Sequence, residues 1–199
     1  IPTLVSAYSQ GVFPWPISAD LPMAWFAPDP RGVLSYSSLS LSKSLKKILS
    51  KNHFTVTFNN NFEQVIRECA LAKRNAKGPH TWISEEIILA YNQLHRAQYA
   101  YSVEVWNSAH DLVGGIYGVT VKSFVSGESM FYKESNASKV GLVTLMNHLQ
   151  HHGIYWLDTQ MVTPVVKNLG GMPIDRQDFM SMLKKSLTQP RPSDLFSVS

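Results

Sequence analysis

The chain has 199 residues, 44% of them hydrophobic and 16% charged, a globular balance long enough for one substantial core and without a disorder signature. Its formal net charge of +4 permits contact with phosphates without demanding it. A single cysteine, Cys69, excludes an internal disulfide and fits a reducing compartment, and no apolar run approaches a membrane span, so a soluble, cytoplasmic protein is expected.

Residues 1–32 read as a small lobe rich in proline and aromatics, with Pro14, Pro16, Pro22, Pro28 and Pro30 forbidding long helices after Tyr8. Trp15, Trp25 and Phe26 are expected to anchor this lobe on the main domain, residues 33–187. Ser38 to Lys51 predicts an amphipathic helix with Leu41, Leu45, Ile48 and Leu49 inward and Lys43, Lys46, Lys47 and Lys51 outward. A solvated face explains those lysines, and a phosphate-facing patch is the sharper alternative. Phe54 to Phe58 alternates as a strand. Asn61 to Ala72 predicts a helix with Phe62, Val65, Ile66 and Cys69 inward, and Cys69 reads as core. The following loop adds Lys73 and Arg74 to the basic side, and Ser84 is placed to cap a helix running from Glu85 through His95.

Tyr101 to Trp106 alternates as a strand and leads into the stretch around which the chain is organised. LVGGIYGV, beginning at Leu112, predicts a strand, and Val121, Phe124 and Val125 its hairpin partner. Asn136 or Ser138 can cap a helix whose stripe is Leu142, Leu145, Met146 and Leu149, ended by Gly153. A buried strand follows from Ile154. On it Asp158 and Gln160 stand two apart, so both side chains leave on one face. A short helix is expected over VVKNLGG and another over Asp178 to Leu187, with residues 188–199 an irregular tail.

The sequence has no HExxH or CxxC arrangement, no P-loop and no GxGxxG. His148 and His152 are four apart on a predicted helix end and read as a solvated terminus rather than a metal site. Ser129, in GESMF, lacks the flanking glycines of a nucleophile elbow. Glu128, Asp158 and Gln160 remain, a polar set without a covalent nucleophile. Such a set suits substrates that already carry both nucleophile and activated carbonyl, which the protein aligns. Spacing alone favours a plainer role for Asp158 and Gln160, hydrogen bonding to neighbouring loops.

GVFPW, WFAPDPRGVL, TWI, SVEVW, LVGGIYGV, GESMF, NASK and LDTQ resemble, in order, motifs of the leucyl/phenylalanyl-tRNA–protein transferases, from about Ala7 to about Phe179. The resemblance implies an α+β fold: a small N-terminal lobe, then a domain similar to the GNAT acyltransferase fold with a mixed sheet flanked by helices. It implies transfer of Leu or Phe, with Met a near competitor, from aminoacyl-tRNA to an N-terminal Arg or Lys of an acceptor protein. It implies that the tRNA ester is the acyl donor and that no cofactor is used. The absence of metal motifs and of membrane-length apolar runs adds the expectation of no metal and no membrane, and a monomer is expected. It puts Asp158 and Gln160 at the catalytic pair, Asp158 fixing the Gln160 amide so that its oxygen receives an N–H of the attacking amine. It places the amino-acid pocket at Ile116, Val125, Met130, Leu142, Leu145, Leu149 and Leu157. Trp15 and Trp82 match aromatic positions facing the terminal adenosine, and Glu128 a substrate-contacting one. Lys43, Lys46, Lys47, Lys51, Lys73 and Arg74 would then meet tRNA phosphates. The segment that the family carries before Ala7 is absent, and smaller side chains at Val125 and Leu145 bear on donor choice. Two alternatives stand beside this reading: a related transferase with another donor or acceptor, and a tRNA- or degron-binding module without turnover.

Overall fold

A computed structural model describes residues 1–15, 23–72 and 82–196. Its elements are α1 (Pro2–Ser9), β1 (Phe13–Trp15), β2 (Ala24–Phe26), β3 (Arg31–Ser35), a 3-10 turn (Tyr36–Ser38), α2 (Lys43–Ser50), β4 (Thr55–Phe58), α3 (Phe62–Leu71) and α4 (Glu85–Arg96). There follow β5 (Ala100–Trp106), β6 (Leu112–Val121), β7 (Phe124–Tyr132), α5 (Ala137–His151), β8 (Trp156–Gln160), α6 (Pro164–Asn168), β9 (Met172–Ile174) and α7 (Arg176–Thr188). The fold is α+β, as expected. A seven-stranded sheet runs in the order β4-β5-β6-β7-β8-β3-β9, and β1 pairs with β2 apart from it. Every neighbour in the large sheet is antiparallel except β7 and β8, so the sheet is mixed. β3 begins at Arg31 and belongs to the main sheet.

Helices cover both faces. On one, α1, α3, α4 and α7 bury Tyr8, Val65, Ile66, Tyr91, Leu94 and Phe179 against Tyr117, Val119 and Phe124. On the other, α5 and α2 bury Leu142, Leu145, Leu149 and Leu45 against Val103, Ile116, Val125 and Leu157. The side-chain period of two sends alternate strand residues to the two cores, which is why Trp156 packs in the first and Leu157 in the second.

Helix starts follow their caps. Ser42 accepts from Leu45 N, Asn61 from Gln64 N and Ser84 from Ile87 N. The Ser42 cap explains why α2 begins at Lys43, with residues 36–38 forming a 3-10 turn instead of the expected first turn. Phe62, Val65, Ile66 and Cys69 are all buried on α3, as their spacing predicts.

Two further expectations differ from the structure. Trp25 and Phe26 are 46% and 41% exposed rather than anchoring. Phe26 shares a face with its cross-strand partner Phe13, but the core covers β1, where Phe13 and Pro14 are buried, and leaves β2 open. His148 is not a solvated end: its ring stacks on Phe58, centroids 4.2 Å apart, and burial lowers its pKa. The tail has no helix after Thr188, yet it is packed. Leu195 is fully buried and Phe196 stacks on Tyr101 with centroids 4.1 Å apart.

Candidate active site where two parallel strands part

The parallel strands β7 and β8 share one register pair, Ser126 with Asp158. Beyond it they separate, and a cavity of about 800 Å³ occupies the gap. Residues from both faces of the sheet line it: Trp15, Trp82, Glu128 and Gln160 from one side, Ile116, Met130, Leu142 and Leu157 from the other.

A bulge shapes the wall on β7. Tyr117 pairs with Ser129 and Gly118 with Gly127, so Glu128 is the extra residue. Bulges bend a strand and re-aim a side chain, and this one directs Glu128 at Gln160. Its partner position requires glycine: a Cβ on Gly118 would lie 2.6 Å from the Tyr101 hydroxyl and run into Ser126 O.

A tight turn shapes the wall on β8. Gln160 has φ of 62°, the left-handed region that glutamine seldom enters. Asp158 holds it there, because Oδ1 accepts the Gln160 backbone N–H at 2.9 Å, the hydrogen bond of an Asx turn. Gly32 pairs with Gln160 across the sheet, and a Cβ on it would stand 2.5 Å from the main-chain carbon of Met161. Gly32→Ala is therefore expected to displace this turn and lower the denaturant midpoint, measurable by chemical denaturation against the natural chain.

Asp158 is fully buried. Its carboxylate receives Arg31 Nε at 2.9 Å and Nη2 at 2.7 Å, a bidentate pair, and Arg31 Nη1 donates to Gly11 O at 2.9 Å. The guanidinium carbon lies 5.0 Å from the centre of the Phe13 ring and 4.4 Å from that of Phe179. One buried arginine thus ties the segment after α1, the last helix and the Gln160 turn together. The expectation that Asp158 fixes the Gln160 side-chain amide needs revising, since both carboxylate oxygens are engaged by Arg31 and by main chain. Asp158 does not line the cavity; it positions Gln160 through the backbone.

The Gln160 side chain is held by Glu128. Gln160 Nε2 donates to Glu128 Oε1 at 2.9 Å, and Ser126 Oγ donates to the same oxygen at 2.8 Å. Tyr91 reaches Oε2 at 3.5 Å, and the Tyr91 and Tyr8 hydroxyls pair with each other. An ionised carboxylate only accepts, which dictates that the amide NH₂ faces Glu128. The amide oxygen of Gln160 accepts no hydrogen bond among the described residues, while the residue lines the cavity.

Burial raises the Glu128 pKa above its ordinary 4.5, against the lowering effect of the bonds from Gln160 and Ser126. A raised carboxyl is stabilised when protonated. Its favourable contribution is complete below the unfolded value and is lost as pH rises through the folded one. Glu128→Gln, which keeps an acceptor without a charge, should therefore gain stability over the natural chain as pH climbs above 4.5, the two converging at lower pH. Chemical denaturation at several pH values measures the difference.

Trp15 and Trp82 stack on each other at the cavity wall, centroids 5.3 Å apart and planes 20° from parallel. Of the other pocket residues expected from the sequence, Val125, Leu145 and Leu149 lie in the core behind the cavity and do not line it. Lys43, Lys46, Lys47 and Lys51 are all exposed, on α2 and just after it. Lys73 and Arg74 fall outside the described residues. Arg31, Tyr8 and Tyr91 were not singled out by sequence, and the one available signal was an arginine opening an otherwise apolar strand. Thr159 also lines the cavity, with a hydroxyl that has no protein partner among the described residues. Among the described residues no group of three or more His, Cys, Asp or Glu side chains could hold a metal, and no helix is long and apolar enough to cross a membrane.

The arrangement is that of a transferase that positions substrates: an apolar wall, an aromatic wall and one oriented amide, with no covalent nucleophile assigned. The family model of the leucyl/phenylalanyl-tRNA protein transferase matches residues 33–184, and that of its N-terminal domain matches residues 1–29. The chain belongs to this aminoacyltransferase family. Relatives named leucyl/phenylalanyl-tRNA–protein transferase include one from Flavobacterium johnsoniae, 46% identical over 89% of this chain and 82% of its own length. Another, from Pseudoalteromonas atlantica, is 42% identical over 97% of this chain and 81% of the relative. Similar solved structures include L-PGS from Bacillus licheniformis, at 13% identity and a TM-score of 0.47 over 78% of this chain and 56% of that one. A GCN5-related N-acetyltransferase from Sphaerobacter thermophilus has 11% identity and a TM-score of 0.41 over 87% and 53%.

Proposed function

We propose that the chain moves Leu or Phe from aminoacyl-tRNA to the α-amino group of an N-terminal Arg or Lys on an acceptor protein. One observation carries the chemistry: Gln160 is pinned through its NH₂ by Glu128, with its amide oxygen unpartnered among the described residues at a cavity. A free α-amine has a pKa of about 7.7 to 8.0, so roughly a tenth or more of it is neutral near pH 7 and no strong base is needed. The neutral nitrogen attacks the ester carbonyl carbon. The new C–N bond forms, the ester C–O bond breaks, and the proton shed by nitrogen balances the one taken up by the departing ribose hydroxyl. Gln160 Oε1 receives an N–H of the attacking amine and sets its direction, a contribution of orientation rather than basicity. Asp158 and Arg31 act behind it, as positioning residues.

Ile116, Met130, Leu142 and Leu157 form the wall for the donor side chain, and a flexible Met suits a pocket that accepts both Leu and Phe. Trp15 and Trp82 offer faces on which the terminal adenine stacks. Trp15→Ala is expected to weaken donor binding about tenfold, since a base–aromatic stack contributes roughly 1 to 3 kcal/mol. Titration of charged tRNA measures that change, and an unaltered Kd removes the residue from the donor site. The exposed lysines of α2 contribute phosphate contacts without reading sequence. The chain acts as a monomer, with the cavity built from one copy, and in the cytoplasm, where charged tRNA is available.

The test is transfer from labelled Leu- and Phe-tRNA to a peptide that begins with Arg. Transfer from both supports the proposal. Transfer only from other charged tRNAs indicates a different donor, and binding without transfer indicates a recognition module.

A further inference from the structure

The cavity that holds Gln160 has a charged rim beside its apolar wall. Among the described residues lining it, Glu68 and Glu128 are acidic and Lys133 is basic. Glu128 is 9% exposed, and Ser126, Gln160 and Tyr91 already occupy its oxygens. A cation arriving from solvent would have to break the bond that orients Gln160. Glu68 is different. It projects from α3 with its side chain 21% exposed, and its carboxylate is held by Lys133 Nζ at 2.5 Å, on a side chain that is 48% exposed. This ammonium sits at the end of a flexible stem and returns easily to water. Leu71, one turn further along α3, and Tyr132, next to Lys133, line the same cavity and are 77% and 66% exposed. They supply apolar surface beside the ion pair, the setting in which the aliphatic stem of an arginine or lysine packs while its head stays polar.

We infer that Glu68 selects the cationic side chain of the acceptor's N-terminal residue, and that Lys133 occupies this carboxylate until the acceptor displaces it. The inference rests on the proposed transfer to N-terminal Arg or Lys. It assigns each charge at the rim a purpose: one carboxylate orients the amide, the other receives the acceptor, and the resident ammonium keeps the second paired in the meantime. No bond is made or broken apart from the exchange of one ion pair for another, with Lys133 released to solvent. A guanidinium, which meets a carboxylate with two parallel hydrogen bonds, displaces an ammonium more readily than a second ammonium does. Arg should accordingly outrank Lys at the acceptor terminus.

The experiment compares three acceptor peptides, identical except for a first residue of Arg, Lys or citrulline, the neutral isostere of Arg. Transfer from charged tRNA is measured for the natural chain, Glu68→Gln and Lys133→Met. The natural chain should prefer Arg over citrulline by about tenfold in kcat/KM, the scale of one charge-assisted pair. Glu68→Gln should bring that ratio close to one. Lys133→Met removes the competitor and should lower KM for the Arg peptide, a change in the opposite direction that a folding defect does not produce. An Arg preference that survives Glu68→Gln, or a KM that rises in Lys133→Met, overturns the assignment. A natural chain that transfers to none of the three peptides overturns instead the transferase reading on which it rests.

Discussion

Arg31→Met is expected to destabilise the protein by about 3–5 kcal/mol, because it leaves Asp158 charged and unpaired in a fully buried site. The loss has three parts. The bidentate pair disappears, the Gly11 carbonyl loses its donor, and the space between the Phe13 and Phe179 rings is refilled by an uncharged chain. Much of the penalty comes from the stranded carboxylate rather than from the lost attraction, so removing both charges should cost far less than removing one. Arg31→Met with Asp158→Leu is thus expected to recover a large share of the stability, by denaturant midpoint. Transfer should not recover with it, since no side chain then holds the Gln160 backbone N–H and the left-handed turn loses its lock. A double variant that is both stable and active would show that the ion pair serves the fold alone.

Gln160→Ala is expected to lower kcat by roughly 100-fold while changing donor Kd by less than about twofold, as misplacement of a reacting group by about an ångström costs rates on that scale. The substitution removes the one acceptor aimed at the amine. It leaves the apolar wall, the tryptophan stack and the exposed lysines, to which the proposed function assigns donor affinity. Alanine keeps the left-handed strain of about 1 kcal/mol that Gln160 already bears, without the side chain. A Gln160→Gly comparison separates that strain from the chemistry, and both variants should be slow. If either retains the natural kcat, the amide has no part in the reaction.

The regular elements were legible where one periodicity spoke for one buried face. The stripe on α3 and the Ser84 cap of α4 emerged as the spacing predicted. That Asp158 and Gln160 act at one place was legible too, because two positions on one strand end are close without tertiary information. What lay between them was not. Asp158 is held by Arg31, 127 positions away in the chain, and the Gln160 side chain by Glu128, whose orientation depends on a bulge. A bulge shifts pairing between two strands and leaves no mark on the period of either, beyond glycines that have many other uses. The aromatic-rich hairpin misled for a related reason. Apolar character predicts burial, but the cover reaches only β1, whose Phe13 and Pro14 are buried, and leaves Trp25 and Phe26 of β2 exposed. Val125, Leu145 and Leu149 are apolar like the cavity wall, and composition cannot tell a wall from the packing behind it.

A structure of this protein bound to a non-hydrolysable aminoacyl-adenosine analogue and an Arg-starting peptide tests the account most directly. The peptide's α-nitrogen should lie about 2.7–3.2 Å from Gln160 Oε1, with the Gln160 NH₂ still on Glu128 and the adenine against Trp15 or Trp82. An α-nitrogen beyond hydrogen-bond reach of that oxygen, or one seated directly on the Asp158 carboxylate, would contradict it.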